Sequence, residues 1–328
     1  MHALARPFLL VGLLAAAGCG GSDGSGDAGE PFRNPVHGEN FPDPHVIRVG
    51  DTYYAYGTND EDGNVQTLRS RDLVRWTKGA DALPKLGAWA YEGKTWAPEV
   101  LAAGDGGYVL YYTANGADFG RQCVGRAVAT SPEGPFEDRW EEPLVCQRDE
   151  GGSIDASPFR DEDGTLYLLW KNDGNCCGLD TYIYSQRLSP DGLELVGEPA
   201  RLVKQDAPWE GPLVEAPTLW RQDGGYYLFF SANVFDSDAY SVGYATCESP
   251  SGPCRDAAEN PILKSACDAS GPGHQTVLRD DDGETWLVYH AWPANRAEQE
   301  RELWIDPLAW EDGKPSVEGP TCEEQPGP

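Results

Sequence analysis

Four side chains able to move a proton recur along the chain at nearly even spacing: Asp43, Asp155, Glu215 and His274, with Ala97 in the second place of the series. The intervals are 54, 58, 60 and 59 residues. Carboxylates brought together push one another's pKa values apart, so that one stays protonated while another is ionised. An acid and a base on opposite sides of a scissile bond are what glycoside hydrolysis requires. A metal site would more often draw its carboxylates from one short loop, as calcium loops do. Trp96 directly precedes Ala97, and Phe41, Trp89, Tyr91 and Trp209 lie in loops leading to other members. Such rings stack on sugars, although each could equally serve the core.

These residues need elements to position them, and the surrounding sequence supplies a repeated one. Each member opens an apolar strand, then a turn rich in Asp and Gly, then an aromatic strand: DPHVIRVGDTYYAYGT from Asp43, DASPFRDEDGTLYLLWKND from Asp155. A period of nearly 60 residues exceeds the helical repeats and suits a four-stranded propeller blade with generous loops. The sequence therefore predicts an all-β fold: a five-bladed β-propeller of four-stranded antiparallel blades filling residues 31–328 as one catalytic domain. The innermost strand of each blade lines a propeller's axis, so the five openers would meet around one central funnel. Turn caps have no reason to vary among Asp, Glu and His while holding register, whereas members of one site do.

Composition agrees. The 39 glycines and 26 prolines favour short strands and many turns, and 40% hydrophobic residues in 328 allow a sizeable core. A net charge of −29 repels nucleic acid and anionic lipid headgroups. Neutral ligands such as sugars remain, and DNA, RNA and nucleotides are set aside.

The amino terminus carries an address. Arg6 precedes an apolar run over 7–17 that is too short to span a bilayer. Cys19 follows small residues and precedes a Gly/Ser/Asp-rich stretch, as in a bacterial lipoprotein signal. The expectation is a signal peptide over 1–18, lipid on the Cys19 thiol and a flexible tether over 19–30, with the lipid as the one membrane contact. Plain secretion after cleavage at Ala17 is the alternative, and export follows from both. Export makes the other eight cysteines disulfide candidates. Cys247 and Cys254 bracket the turn ESPSGP, and Cys123 and Cys146 flank the similar SPEGPF, so each pair is expected to join. Cys176 and Cys177 are adjacent, which permits a vicinal bond or two separate partners. The vicinal bond leaves Cys267 and Cys322 for each other.

FPDPHVI, SIDASPF and VEAPTLW resemble the three catalytic signatures of glycoside hydrolase family 43, a group of five-bladed propellers. TWAPEV, SRDLVRW, GPGHQTV and RELWIDPLAWEDGKP are similar to further segments of that family, in order along the mature chain. The resemblance implies Asp43 as general base, activating water against the anomeric carbon, and Glu215 as general acid on the leaving oxygen. Asp155 is implied as the carboxylate that raises the acid's pKa and orients it. It also implies inversion of configuration, for which acid and base stand roughly 6.5–9.5 Å apart. His274 matches an axial histidine near a bound calcium or a water cluster, and Arg301 an arginine at the substrate end of the funnel. Trp96, Phe41 and Trp209 complete the expected substrate-binding set, and the chemistry needs no cofactor.

Glu210, in an EGP, is a rival for the acid. The repeat favours Glu215, which opens EAPTLWRQDGGYYLFF as Asp155 opens DASPFRDEDGTLYLLW, with Glu210 five residues early. GAWAYEGKT is no phosphate loop, because five residues separate Gly87 from Gly93 where the pattern has four. The segment from VEAPTLW onward looks most like arabinose-releasing members, and no β-sandwich of the kind many xylosidase relatives carry follows the fifth repeat. The expected substrate is therefore an α-L-arabinofuranosyl linkage in arabinan or arabinoxylan of plant walls, with β-D-xylosides second. A non-catalytic glycan-binding propeller would be free to lose a carboxylate, and all three are present.

Overall fold

Tight Asp–Gly turns set the local structure. Asp223 and Gly224 both have positive φ, 49° and 82°. That is the type I′ turn, whose twist matches the flanking strands, and Gln222 pairs with Gly225 across it. Asp312 and Gly313 repeat it at 48° and 74°, with Glu311 paired to Lys314, and no α-helix occurs among the described residues. The computed structural model describes residues 1–2, 29–104, 106–118, 120–280, 282–294 and 300–328. Cys19, with nearly all of the expected signal peptide and tether, lies outside them.

Five antiparallel blades follow one another in the chain. Blade one holds β2 (His45–Val49), β3 (Thr52–Gly57), β4 (Gln66–Ser70) and β5 (Thr77–Lys78), preceded by β1 (Gly29–Phe32). Blade two holds β6 (Ala90–Ala102), β7 (Tyr108–Gly116) and β8 (Gln122–Ala129). Blade three holds β9 (Ser153–Arg160), β10 (Leu166–Asn172), β11 (Tyr182–Leu188) and β12 (Leu195–Lys204). Blade four holds β13 (Val214–Gln222), β14 (Gly225–Ala232), β15 (Ser241–Cys247) and β16 (Cys254–Asp256). Blade five holds β17 (Ala269–Arg279), β18 (Thr285–Pro293), β19 (Glu302–Glu311) and β20 (Lys314–Val317), and β21 (Gln325–Gly327) ends the chain. The fold is the five-bladed propeller that the repeat predicts. In blade two the outermost strand is reduced to single bridges, such as Val128 with Glu137.

Gly29 and Glu30, expected in the tether, instead form β1 and pair with β21. The segment beyond β1 then closes the ring against blade five. Asn34 Nδ2 donates to the Ile305 carbonyl at 2.7 Å, and the Ile305 N–H donates back to Asn34 Oδ1 at 3.0 Å. Four disulfides form: Cys123–Cys146 and Cys247–Cys254, as their turns lead one to expect, and Cys176–Cys177 and Cys267–Cys322, which follow the vicinal alternative.

The core is divided into five apolar clusters, one at each junction between neighbouring blades. Tyr56 and Val65 of blade one, for example, pack on Leu110 and Tyr112 of blade two. Middle strands are thus covered on both faces, which explains the unbroken apolar run YYLFF in β14. Each large side chain so buried contributes about 1.5–3 kcal/mol.

The innermost strands share a further device. Asp43, Ala97, Asp155, Ala216 and His274 all have left-handed φ, between 45° and 56°. In blades two to five the pairing of the first two strands shifts register around this residue, as at a β-bulge. Every one of these strained residues donates its N–H to a side chain of the preceding blade. Asp43 donates to His290 Nδ1 (3.1 Å), Ala97 to Thr58 Oγ1 (2.9 Å) and Asp155 to Thr113 Oγ1 (3.3 Å). Ala216 donates to Asp155 Oδ2 (2.9 Å) and His274 to Ser231 Oγ (2.8 Å). A buried N–H left without a partner costs about 1–3 kcal/mol. Ser231→Ala is therefore expected to lower the melting temperature by roughly 2–10 °C, read by differential scanning calorimetry; an unchanged midpoint would show the ring to be dispensable.

Candidate active site

The five left-handed residues re-aim side chains from the strand faces toward one end of the axis. Asp43 stands there just ahead of β2. Arg301 Nη1 donates to its Oδ1 at 2.8 Å, and the Thr58 hydroxyl donates to its Oδ2. His274 Nδ1 lies 3.3 Å from Oδ1. Burial by itself would raise the Asp43 pKa, but Arg301 and then His274 oppose it, helped by the Thr58 hydrogen bond. The pull wins, and the carboxyl stays far below the usual carboxylate range. His290 is an acceptor rather than a charge partner, because its Nδ1 takes the Asp43 N–H and burial holds its pKa well below normal.

Glu215 is gripped at both oxygens. Lys171 Nζ donates to Oε2 at 3.0 Å and the Tyr240 hydroxyl to Oε1 at 2.8 Å. Both partners are fully buried. Tyr240 stacks on His290 with ring centres 6.0 Å apart. Its ring lies so close to Gly273 that a Cβ there would sit 2.1 Å from Cε1, which requires glycine just before His274. Burial above all, then the nearby carboxylates, keep the Tyr240 phenol protonated. Asp155 is the third carboxyl. Burial raises its pKa first, opposed by His274, while Glu215 and Asp43 push it further up and Lys171 pulls it down. The balance is upward.

The repeat register needs one correction. Alignment on Asp155 makes Glu215 the fourth opener, but the left-handed residue of blade four is Ala216. Glu215 precedes it, so its side chain leaves the strand in a different direction from those of Asp43 and Asp155. The sequence holds the signal in Ala97-Pro98 and Ala216-Pro217, which superimpose directly. Glu210, the rival acid, lies in a short 3-10 turn (Pro208–Glu210), where its Oε2 accepts the Asp206 and Ala207 N–H groups.

Among the expected substrate contacts, Arg301 reaches the base itself. Trp96 is half-buried at the blade-two bulge, opposite Thr113. Phe41 is 1% exposed and belongs to the core between blades five and one, so it offers no face to a sugar. Trp209 is also spent on packing, against Phe230 with ring centres 5.5 Å apart and over Gly243 of β15. The aromatic surface beside the base comes instead from residues the sequence reading passed over. The Arg301 guanidinium lies 5.0 Å from the Phe235 ring and 5.8 Å from the Trp292 ring, and Phe235 is 42% exposed. Lys171, Tyr240 and His290 were passed over as well. Lys171 and His290 share a signal with Thr58, Thr113 and Ser231: each falls fifteen or sixteen residues after the left-handed residue of its own blade.

A propeller that gathers an ionised carboxylate, a raised carboxyl and a clamped glutamate on its axis is built as a glycoside-cleaving propeller. Residues 32–315 match the model of glycosyl hydrolases family 43, and the chain belongs to that family. It is 30% identical over 300 residues to an extracellular endo-α-(1→5)-L-arabinanase of Bacillus subtilis, covering 84% of this chain and 86% of that protein. It is 28% identical to a β-D-galactofuranosidase of Aspergillus niger, over 78% of this chain and 75% of that one. A β-xylosidase of Bacillus subtilis is 29% identical, but the match spans 56% of its length. Among solved structures, a thermostable family-43 glycoside hydrolase superposes with a TM-score of 0.83 at 35% identity, covering 90% of this chain and 99% of that one. The protein is a glycoside hydrolase, and its four disulfides are of the kind that persists in exported proteins.

Arg301 should control the acid side of the pH profile. Without it, burial dominates and the Asp43 pKa rises, so the base is lost to protonation at higher pH. Arg301→Met is expected to move the acid limb of kcat/KM upward by about one unit or more. A limb left in place, measured from pH 3 to 8, would show that Arg301 does not hold the base ionised.

Proposed function

We propose that the protein hydrolyses α-L-arabinofuranosyl linkages with inversion, using Asp43 as base and Glu215 as acid. The observation that carries the reading is the opposite treatment of the two carboxyls. Asp43 is locked ionised by Arg301, while Glu215 keeps one oxygen against a hydroxyl. A hydroxyl accepts as readily as it donates. The Tyr240 oxygen can therefore accept a hydrogen bond from a proton carried on Glu215 Oε1 until the glycosidic oxygen takes its place, with Lys171 fixing Oε2. Water between Asp43 and the anomeric carbon gives its proton to Asp43 as it attacks, and Glu215 protonates the departing oxygen. Asp155, holding the Ala216 N–H, fixes the backbone next to the acid and adds negative potential when ionised. Nothing in this sequence of steps calls on a cofactor. His274 Nε2 is the ring nitrogen left for an axial water or calcium ion, which would brace the ring that faces Asp43.

The arabinosyl preference rests on the arabinanase match, which spans nearly all of both chains. Phe235 and Trp292 beside Arg301 supply the apolar face a plant-wall sugar would need. The proposal includes a lipid on Cys19 that holds the enzyme at the bacterial envelope; Cys19→Ala would then release it from the membrane fraction.

Release of sugar from 4-nitrophenyl α-L-arabinofuranoside, 4-nitrophenyl β-D-xyloside and linear arabinan decides the substrate, and the anomer first formed, followed by NMR, decides inversion. Asp43→Asn and Glu215→Gln are each expected to lower kcat by roughly 10²–10⁴-fold or more with the fold intact. Turnover of the xyloside alone would overturn the arabinosyl assignment, and a Glu215→Gln enzyme with normal turnover on arabinan would overturn the acid.

A further inference from the structure

A second convergence of carboxylates lies at the outer edge of blade four. Asp206 and Glu210 belong to the linker between blades three and four, and Asp256 ends β16. One oxygen from each lies within 4.8 Å of the other two. Glu210 is fully buried, and the linker folds over it, so that its Oε2 takes two backbone N–H groups at 2.6 and 2.7 Å. Its Oε1 is shut away from solvent with no hydrogen-bond donor, and so is Asp256 Oδ1. Two donorless carboxylate oxygens out of water are costly unless a positive species stands between them. None of the nearby side-chain cations pairs with the cluster. Arg201 Nη2 is 3.1 Å from Glu150, Lys204 Nζ is 2.7 Å from Asp180, and Arg255, which lines the same groove, makes no ion pair with the three carboxylates among the described residues. A groove of 470 Å³ between β12 and β16, lined in part by Asp206 and Asp256, opens the cluster to solvent.

We propose that Asp206, Glu210 and Asp256 bind a hard divalent cation of the calcium class. Oxygens within 4.8 Å of one another suit an ion ligated at about 2.3–2.6 Å, with water or carbonyl oxygens completing a shell of roughly six to eight. A proton shared between Glu210 and Asp256 would neutralise that pair and leave the approach of Asp206 without a purpose, whereas a dication uses all three. The ion ties the linker to the last strand of blade four, five residues ahead of Glu215.

The test is a calcium chloride titration of EDTA-treated, dialysed protein, followed by calorimetry and by melting temperature. The wild type is expected to show a saturable site that raises the melting temperature by about 5 °C at a hundredfold excess over Kd. Asp206→Asn and Asp256→Asn, each far from the funnel, are expected to lose about tenfold or more of that affinity. No response in the wild type, or an identical response in both variants, overturns the site. An Asp256→Asn protein that melts above the wild type and ignores calcium also overturns it, because an amide there reproduces a shared proton.

Discussion

The hydrogen bonds that run from each left-handed residue to the preceding blade are the constraint on which both ring and site depend. A non-glycine residue in this conformation costs roughly 1–2 kcal/mol, and five are spent around one axis. The strain cannot persist blade by blade, because the acceptor of each N–H belongs to a neighbour. Closing the ring supplies all five acceptors, so the bulges and the closed propeller require each other. The left-handed conformation is also what turns Asp43, Asp155 and His274 out of the strand faces and into the funnel. Thr58 shows the economy of the arrangement: its hydroxyl accepts the Ala97 N–H and donates to Asp43 Oδ2.

Blade three departs from the rule, and the departure locates the chemistry. The acceptor position fifteen or sixteen residues beyond the left-handed residue holds Thr58, Thr113, Ser231 and His290 in four blades, and Lys171 in the third. An ammonium cannot accept an N–H. Ala216 is capped by Asp155 Oδ2 instead, and Lys171 is free to reach Glu215. A fully buried lysine is weak evidence for stability, since desolvation of the pair offsets much of its attraction. A threonine there would cap the bulge at less cost, so the lysine is explained by Glu215. It also gives Asp155 a structural task, which ties its carboxyl group to the backbone beside the acid.

The repeat was legible because blade packing imposes it on every copy: apolar strand, Asp–Gly turn, aromatic strand. The residues at its head stood out because carboxylates have no place at the start of a core strand. Register failed in blade four by one residue, since Glu215 offered a chemically attractive match while the backbone placed Ala216 in the left-handed position. Lys171, Tyr240 and His290 were hidden because their partners lie in other blades or other strands, and sequence periodicity does not report contacts across a ring. Phe41 and Trp209 were misplaced for a related reason. An aromatic residue in a loop reads alike whether its ring faces a sugar or a neighbouring blade, and blade junctions claimed both.

Charge inside the funnel differs from charge outside it. The chain carries −29 overall, yet its axis pairs Asp43 with Arg301 and Glu215 with Lys171, with Asp155 as the remaining carboxyl group. One proton held among the three crowded carboxyl groups, which burial favours, leaves two carboxylates facing two cations. A funnel balanced in charge suits a neutral sugar, whose hydroxyl groups ask for hydrogen bonds rather than a counter-ion. An acidic polysaccharide would meet repulsion from the outer surface before reaching it. The same balance keeps acid and base distinct, because each carboxylate answers to its own cation. Arg301 belongs to blade five and Lys171 to blade three, so the separation of the two charges is held by the blades themselves.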